Sequence, residues 1–345
     1  MRVARTLSFE ETRVEEAPVP SLQPGDALVE VEACGLCGSD ALRWYVERKA
    51  PAVLGHEPAG VVVETGAGCA LSVGQRVFMH HHVSCGACPC CRRGAETSCE
   101  LFRRTRLDPG GFAERVRVPA ENARRDTLVL PDSVSFEQAT FIEPVACCAR
   151  AVGKLGLRPD RGETVLVIGL GAMGLVNARL AKALGAARVI GSELSSRRAA
   201  RGAAWGVDLV LDPRAPDFAA RLREETDGGP DHVIVGPATE AAVLQGVEAV
   251  APGGTVCLFT PVPPGEAVAL PLTRLYFDEV RLVSSYSCSA RETRLALGWI
   301  REGVVPVGDL ISHRLTLSQV GEGIRRTAAA GDDWLRAVVL PQRRG

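Results

Sequence analysis

The stretch from Thr164 to Gly174 constrains this chain more than any other. An apolar β-type run, Thr164–Ile168, leads straight into Gly169-Leu-Gly171-Ala-Met-Gly174, and a helix-forming segment over 172–184 follows. A lone GxGxxG carries little information. Here it has a strand before it, a helix after it and an acidic residue, Glu193, at the end of the next strand. The first glycine makes a tight turn, the second lets the backbone approach a pyrophosphate, and the third lets helix and strand pack closely. The helix N-terminus then offers unpaired N–H groups and a positive dipole end to phosphate. The cofactor-binding candidates are Gly169, Gly171, Met173, Gly174, Glu193 and Arg198. Glu193 is expected to accept hydrogen bonds from an adenosine ribose. Its charge would repel a 2′-phosphate and so favours NAD, whereas Arg197 and Arg198 suit the 2′-phosphate of NADP. The alternative is a plain glycine-rich turn between strand and helix, which the surrounding pattern disfavours.

The chain changes character near residue 153. Before it lie short β-type runs broken by Gly and Pro, at 27–33, 60–64, 76–82 and 112–118, the mark of a mainly β domain. After it, apolar strands at Thr164–Ile168, 188–190, 208–211, His232–Val235, 255–259 and 280–284 alternate with helices at 172–184 and 196–205. Continuous apolar strands separated by helices predict a doubly wound parallel sheet covered on both faces. The tail from 288 carries a predicted helix, Ala290–Arg301, and ends in an apolar run, 336–340, read as a strand returning to the first domain. The fold class is therefore α/β. A dinucleotide-binding domain spans 154–287, and a mainly β domain spans 1–153 and 288–345.

Cys85, Cys88, Cys91 and Cys99 lie within one polar stretch, about 84–100, separated by two, two and seven residues. Short spacings let one loop wrap a zinc ion tetrahedrally with thiolates. Four protein ligands close the coordination sphere, so this zinc would be structural. A disulfide framework is the competing reading, and it requires an export signal that the first ten residues do not resemble. Cys90 is an extra thiol in the loop. The net charge of −1 provides no basic field for nucleic acid, and no apolar run is long enough to span a bilayer. The expected setting is cytoplasmic, with the twelve cysteines present as thiols or metal ligands.

A second group of metal-ligand types is scattered: Cys34 and Cys37 in a CxxC, His56 and Glu57 after Gly55, and Glu143 before Pro144. Thiolate, imidazole and carboxylate are all zinc donors, and catalytic sites usually draw them from separate segments. Spacing does not establish that these converge. Taken singly, His56 reads as a structural histidine and Glu143 as a helix or turn residue. A redox CxxC lacks the βαβ surroundings it would need.

Cys37-Gly-Ser-Asp40, Gly55-His-Glu57, the four-cysteine lobe and the Gly169–Gly174 loop occur in the order found in zinc-dependent medium-chain dehydrogenases, which the chain resembles over almost its whole length. Glu143-Pro144 resembles the branch containing sorbitol (polyol), threonine and galactitol-phosphate dehydrogenases. The resemblance implies a GroES-like catalytic domain beside the Rossmann domain. It implies two zinc ions per chain, the catalytic one on Cys37 and His56, with Glu57 and Glu143 sharing the remaining role. Cys34 matches a position that is not a ligand. The implied reaction is oxidation of a secondary alcohol, such as a polyol or cyclitol, with hydride transfer to NAD. Zinc lowers the pKa of the substrate hydroxyl. Ser39 matches the hydroxyl that takes the substrate proton, and Asp40 orients His56. Family members often carry a histidine five residues after the ligand cysteine as a proton relay; this chain has Leu42. Glu57, a water chain or the run His80-His81-His82 are candidate substitutes. Strand alternation would put His80 and His82 on one face and His81 on the other, which also fits a plain polar strand. Arg43, Trp44 and Tyr45 are candidates to shape the cleft. Ser285, Tyr286 and Ser287 either bind substrate hydroxyls or satisfy backbone at a strand end. A homodimer or homotetramer paired through 280–284 is implied. The rival readings are a threonine-type amino alcohol dehydrogenase and a non-catalytic, nucleotide-binding redox sensor.

Overall fold

The structure, a computed structural model, describes residues 1–344. It divides into two compact units: Met1–Ala146 together with the chain from Cys288 onward, and Cys147–Ser287. The division falls inside the helix Ile142–Leu155 rather than at 153, because that helix runs on through the point where the sequence changes character. No helix among the described residues is long and apolar enough to cross a membrane.

The first unit is built on a seven-stranded, mostly antiparallel sheet. Its order is His313–Leu315, Ala337–Val339, Ala27–Leu36, Glu57–Thr65, Arg76–Met79 and Thr127–Val129, with Arg115–Val118 also pairing with Ala27–Leu36. A smaller sheet joins Thr12–Glu16, Arg2–Thr6 and Ala52–Val53. The strand Ala27–Leu36 anchors the large sheet. It pairs with three others and is buried at both ends, with only Glu30 and Glu32 reaching outward. The run predicted at 336–340 does return here: Ala337–Val339 pairs antiparallel with the end of Ala27–Leu36, setting Val339 opposite Cys34. Val3, Val29, Val31, Val77, Phe112 and Val116 are among the residues that fill the core beneath the sheet.

The second unit is a six-stranded parallel sheet in the order Leu209–Leu211, Arg188–Ser192, Thr164–Ile168, His232–Val235, Thr255–Leu258 and Arg281–Ser284. The central strands are buried except at Thr164, as a sheet covered on both faces requires. The order reverses at Thr164–Ile168, which is the switch point of a doubly wound fold. The helix predicted over 196–205 is broken into Ser196–Ala199 and a 3₁₀ turn, Ala203–Trp205. Gly202 sits between them against Val207 and Val210 and breaks the run.

Phe112 is fully buried in the core of the first unit, and its backbone bonds both Ala4 and Leu54. Phe112→Ala is expected to lower stability by about 3–5 kcal/mol. The measurement is the urea midpoint for loss of near-ultraviolet circular dichroism; an unchanged midpoint would contradict the packing described.

Candidate active site

The four-cysteine lobe forms as a self-contained loop. The donor sulfurs of Cys85, Cys88, Cys91 and Cys99 all lie within 4.8 Å of one another. Cys88 and Cys91 are 3.5 Å apart, and Cys85 and Cys91 are 3.9 Å apart. A tetrahedral zinc with bonds of about 2.3 Å sets its sulfurs about 3.8 Å from each other, so the cage has the size of the ion. The amides of Ala87 and Cys88 donate to Cys85 Sγ and pull its thiol down to about 6, toward the thiolate that metal binding needs. Cys90 lies outside this group.

The scattered donors do meet. Cys37, His56 and Glu57 bring their ligand atoms within 4.8 Å of each other. Cys37 follows the end of the strand Ala27–Leu36 and opens a 3₁₀ turn, Gly38–Ala41, that carries Ser39 and Asp40. His56 is delivered by Gly55, whose φ of +88° is a left-handed conformation. A side chain there would also strike Phe112. Glu57 begins the strand Glu57–Thr65. Its carboxylate occupies the space that a side chain at Gly35 would fill, since a Cβ there would come within 2.0 Å of Oε2.

Arg336, fully inside the protein, pairs with Glu57 Oε2. Burial, aided by the charge of Glu143, pushes the Glu57 carboxyl above its ordinary range, while Arg336 and His56 pull it back. Arg336 was not foreseen. The one available sign was a charged residue opening an otherwise apolar run. Asp40 Oδ1 lies 3.4 Å from His56 Nδ1, where it steadies the ring electrostatically, and Asp40 Oδ2 accepts from the Cys37 amide at 3.4 Å. Neither Asp40 Oδ1 nor Glu57 Oε1 has a hydrogen-bond partner among the described residues, though both are buried. A buried carboxylate oxygen of Glu57 without a protein partner, beside a thiol and an imidazole, fits a divalent cation. Cys34 differs: burial pushes its thiol far up, and it bonds the Gly35 carbonyl, so it stays protonated and aside.

Glu143 opens the helix Ile142–Leu155 and groups with His80 and His81 rather than with Cys37 and His56. The strand predicted over 76–82 stops at Met79, so the expected alternation of the three histidines does not occur. Asn122 Nδ2 donates to the carbonyls of both His80 and His81 and takes them out of the ladder. His80 is held by Asp126, at 2.6 Å. His81 packs against His56 with ring centroids 4.9 Å apart; burial and the neighbouring imidazoles keep it neutral. His82 packs on Phe102 and bonds the Thr105 carbonyl, a structural role. Arg43 bonds Glu10 and Glu47 and covers Phe9, which marks it as a packing residue.

The three glycines of the second unit differ in their surroundings. Gly169 has φ +83°, a Cβ on Gly171 would meet nothing within 4 Å, and one on Gly174 would lie 1.8 Å from the Gly169 carbonyl. Gly171 caps the helix Ala172–Ala183, whose first turn includes Met173. Glu193 is buried, and its carboxylate accepts from the amides of Leu170 and Ser195 at 2.7 and 2.8 Å. Arg198 pairs with it at 3.0 Å, which offsets the negative charge on which the preference for NAD was argued. Arg197 is exposed. The hydroxyls of Ser285 and Ser287 are buried without partners among the described residues, so they do not satisfy backbone at the strand end; Tyr286 is exposed.

With this geometry in hand, comparison with known proteins is specific. Residues 23–131 match the alcohol dehydrogenase GroES-like domain and residues 172–302 the zinc-binding dehydrogenase domain. The chain is 37% identical over 252 residues to an L-threonine 3-dehydrogenase of Pyrococcus abyssi, covering 70% of each chain. It is 26% identical to a sorbitol dehydrogenase of Bacillus subtilis across 99% of this chain and 98% of that one. Among solved structures, a Sinorhizobium meliloti 1021 protein of the zinc-binding dehydrogenase type, bound to NADP, matches with a TM-score of 0.87 at 30% identity, covering 99% of both chains. Fold, donor geometry and sequence agree that the chain belongs to the zinc-dependent medium-chain dehydrogenases, oxidoreductases that act on CH–OH groups.

Proposed function

We propose that the protein oxidises a polar secondary alcohol, such as a polyol or cyclitol, to the ketone, with NAD as hydride acceptor. The observation that carries this reading is the convergence of Cys37 with His56 and Glu57 from two separate segments, with Ser39 two residues after Cys37 in the 3₁₀ turn that follows it. Cys37 and His56 would hold the catalytic zinc, with Glu57 or Glu143 as the carboxylate. Bound in these places, zinc would lower the pKa of the substrate hydroxyl and the dinucleotide would accept the hydride. The chain's own residues do the rest. Asp40 fixes the orientation of His56, and Arg336 holds Glu57 in place. Ser39 accepts the alcohol proton and passes it on; with Leu42 in place of a histidine, the proton leaves through water or Glu57. A threonine-type amino alcohol is the second reading, favoured by the 37% identity to the Pyrococcus abyssi enzyme. A non-catalytic redox sensor would have no use for the open donor set.

Gly169, Gly171, Met173 and Gly174 would cradle the pyrophosphate, with Glu193 and Arg198 at the adenosine ribose. The protein is further read as a homodimer or homotetramer joined at Arg281–Ser284. That strand is the edge of its sheet, and Leu282 is exposed there, with Leu272, Tyr276 and Phe277 exposed on the preceding helix. All cysteines among the described residues are free of disulfides, which suits a reducing, cytoplasmic compartment.

A screen of polyols, cyclitols and amino alcohols, followed by NADH absorbance, is expected to give turnover with a polyol or cyclitol. Turnover with threonine alone selects the second reading, and none with any alcohol favours the sensor. With the preferred substrate, Ser39→Ala should lower kcat roughly 100- to 10,000-fold while the Kd for NAD holds; unchanged turnover removes Ser39 from the mechanism. Arg198→Ala should reduce kcat/KM with NADP more than with NAD, and an equal loss with both would leave Arg198 without a role in choosing the cofactor. Leu282→Lys should shift the species seen by light scattering toward the monomer; an unaltered mass would clear this edge of a part in assembly.

A further inference from the structure

His80 and Cys288, in the first unit, take no part in the reaction outlined above. His80 is fully buried, and its Nδ1 lies 2.6 Å from Asp126 Oδ2. Asp126 is itself fixed, because its Oδ1 accepts from Thr293 Oγ1 at 2.7 Å. A proton on Nδ1 is therefore committed to the carboxylate, and Nε2 is the ring atom open to a metal. A carboxylate behind a histidine, setting its tautomer and its aim, is the support that metal-ligating histidines usually have. Nε2 faces the sulfur of Cys288, also fully buried, at 3.6 Å. Zinc bonds of about 2.05 Å to nitrogen and 2.3 Å to sulfur at the tetrahedral angle place those two atoms about 3.6 Å apart.

The surroundings supply further donors. His80, His81 and Glu143 have ligand atoms within 4.8 Å of one another, and Glu143 and Cys288 do so in a second group that shares Glu143 with the first. His81 Nδ1 is buried with no hydrogen-bond partner among the described residues. Two imidazoles, a carboxylate and a thiol are the ligand types of a borderline divalent ion. A thiol-to-imidazole hydrogen bond would explain the 3.6 Å contact alone, but not the gathering of His81 and Glu143 about His80.

We propose that His80, His81, Glu143 and Cys288 form a further cation site, for Zn²⁺ or a similar ion such as Co²⁺, distinct from both the four-cysteine lobe and the Cys37–His56 pair. A cation held here engages Glu143, which leaves Glu57 as the carboxylate for Cys37 and His56.

The full-length protein, stripped with a chelator and reloaded by dialysis against Zn²⁺, is expected to retain one more equivalent of metal than Cys288→Ser. Cys37→Ala should lose a separate equivalent, and the double variant both. If Cys288→Ser retains as much metal as the parent, the proposal fails. If Cys37→Ala alone shows no loss, the reading of the catalytic site fails instead. Asp126→Asn keeps the size of the carboxylate and should weaken Co²⁺ binding at this site roughly 10- to 100-fold, read from the cobalt–thiolate charge-transfer band that depends on Cys288. An unaltered affinity would count against the proposal. Should a variant fail to fold, crystals of the parent soaked in Zn²⁺ decide the matter. An anomalous peak between His80 Nε2 and Cys288 Sγ supports the site, and its absence at saturating metal overturns it.

Discussion

A carboxylate buried beside His56 sets the terms for the rest of the first unit. Glu57 has no exposure to solvent, and an uncompensated charge in such a place costs several kcal/mol. Arg336 supplies the compensation from 279 residues away in sequence. The pairing comes with the return of the chain to the first unit after the dinucleotide-binding unit is complete. The strand Ala337–Val339 pairs with Ala27–Leu36 so that the guanidinium just before it reaches Glu57. Gly35 leaves room for the carboxylate where any side chain would collide with it. Removing either member of such a buried pair is far more damaging than replacing both, because the survivor stays charged and unpaired. The pair holds Glu57 next to the metal donors, and one of its oxygens stays free of protein hydrogen bonds.

Much of the fold was legible because its signals are local. The run Thr164–Ile168 and the loop after it carry period, turn chemistry and capping in eleven consecutive residues, and the strand and glycine roles follow from them. The four-cysteine lobe was legible for the same reason: one loop contains all its ligands. The second unit's strands at Thr164–Ile168 and His232–Val235 and the helix Ala290–Arg301 match their predicted bounds. The group of Cys37, His56 and Glu57 was legible only by resemblance, since nothing in the spacing of 37, 56 and 57 requires convergence. Arg336 was not legible at all, because its meaning lies in a tertiary contact. The same is true of Arg198, whose pairing with Glu193 changes the charge that a 2′-phosphate would meet. No reading of residues 193 and 198 in isolation reveals whether they face each other or the ligand.

The three consecutive histidines show why local pattern failed in one place. In a continuing strand, His80 and His82 would share a face, and a single role would serve both. The strand ends at Met79 instead, since Asn122 takes the next two carbonyls and Asp126 takes the amide of His80. Once freed from alternation, the rings take three separate surroundings. His82 is used for packing on Phe102, His81 is pressed against His56, and His80 is locked between Asp126 and Cys288. Asn122 and Asp126 both lie on the short helix Ala120–Asp126, so one element ends the strand and aims the first histidine. A side chain that terminates a ladder and a side chain that orients a ring are ordinary structural devices. Set four residues apart on one helix face, they convert a run of identical residues into a set of positions with different chemistry.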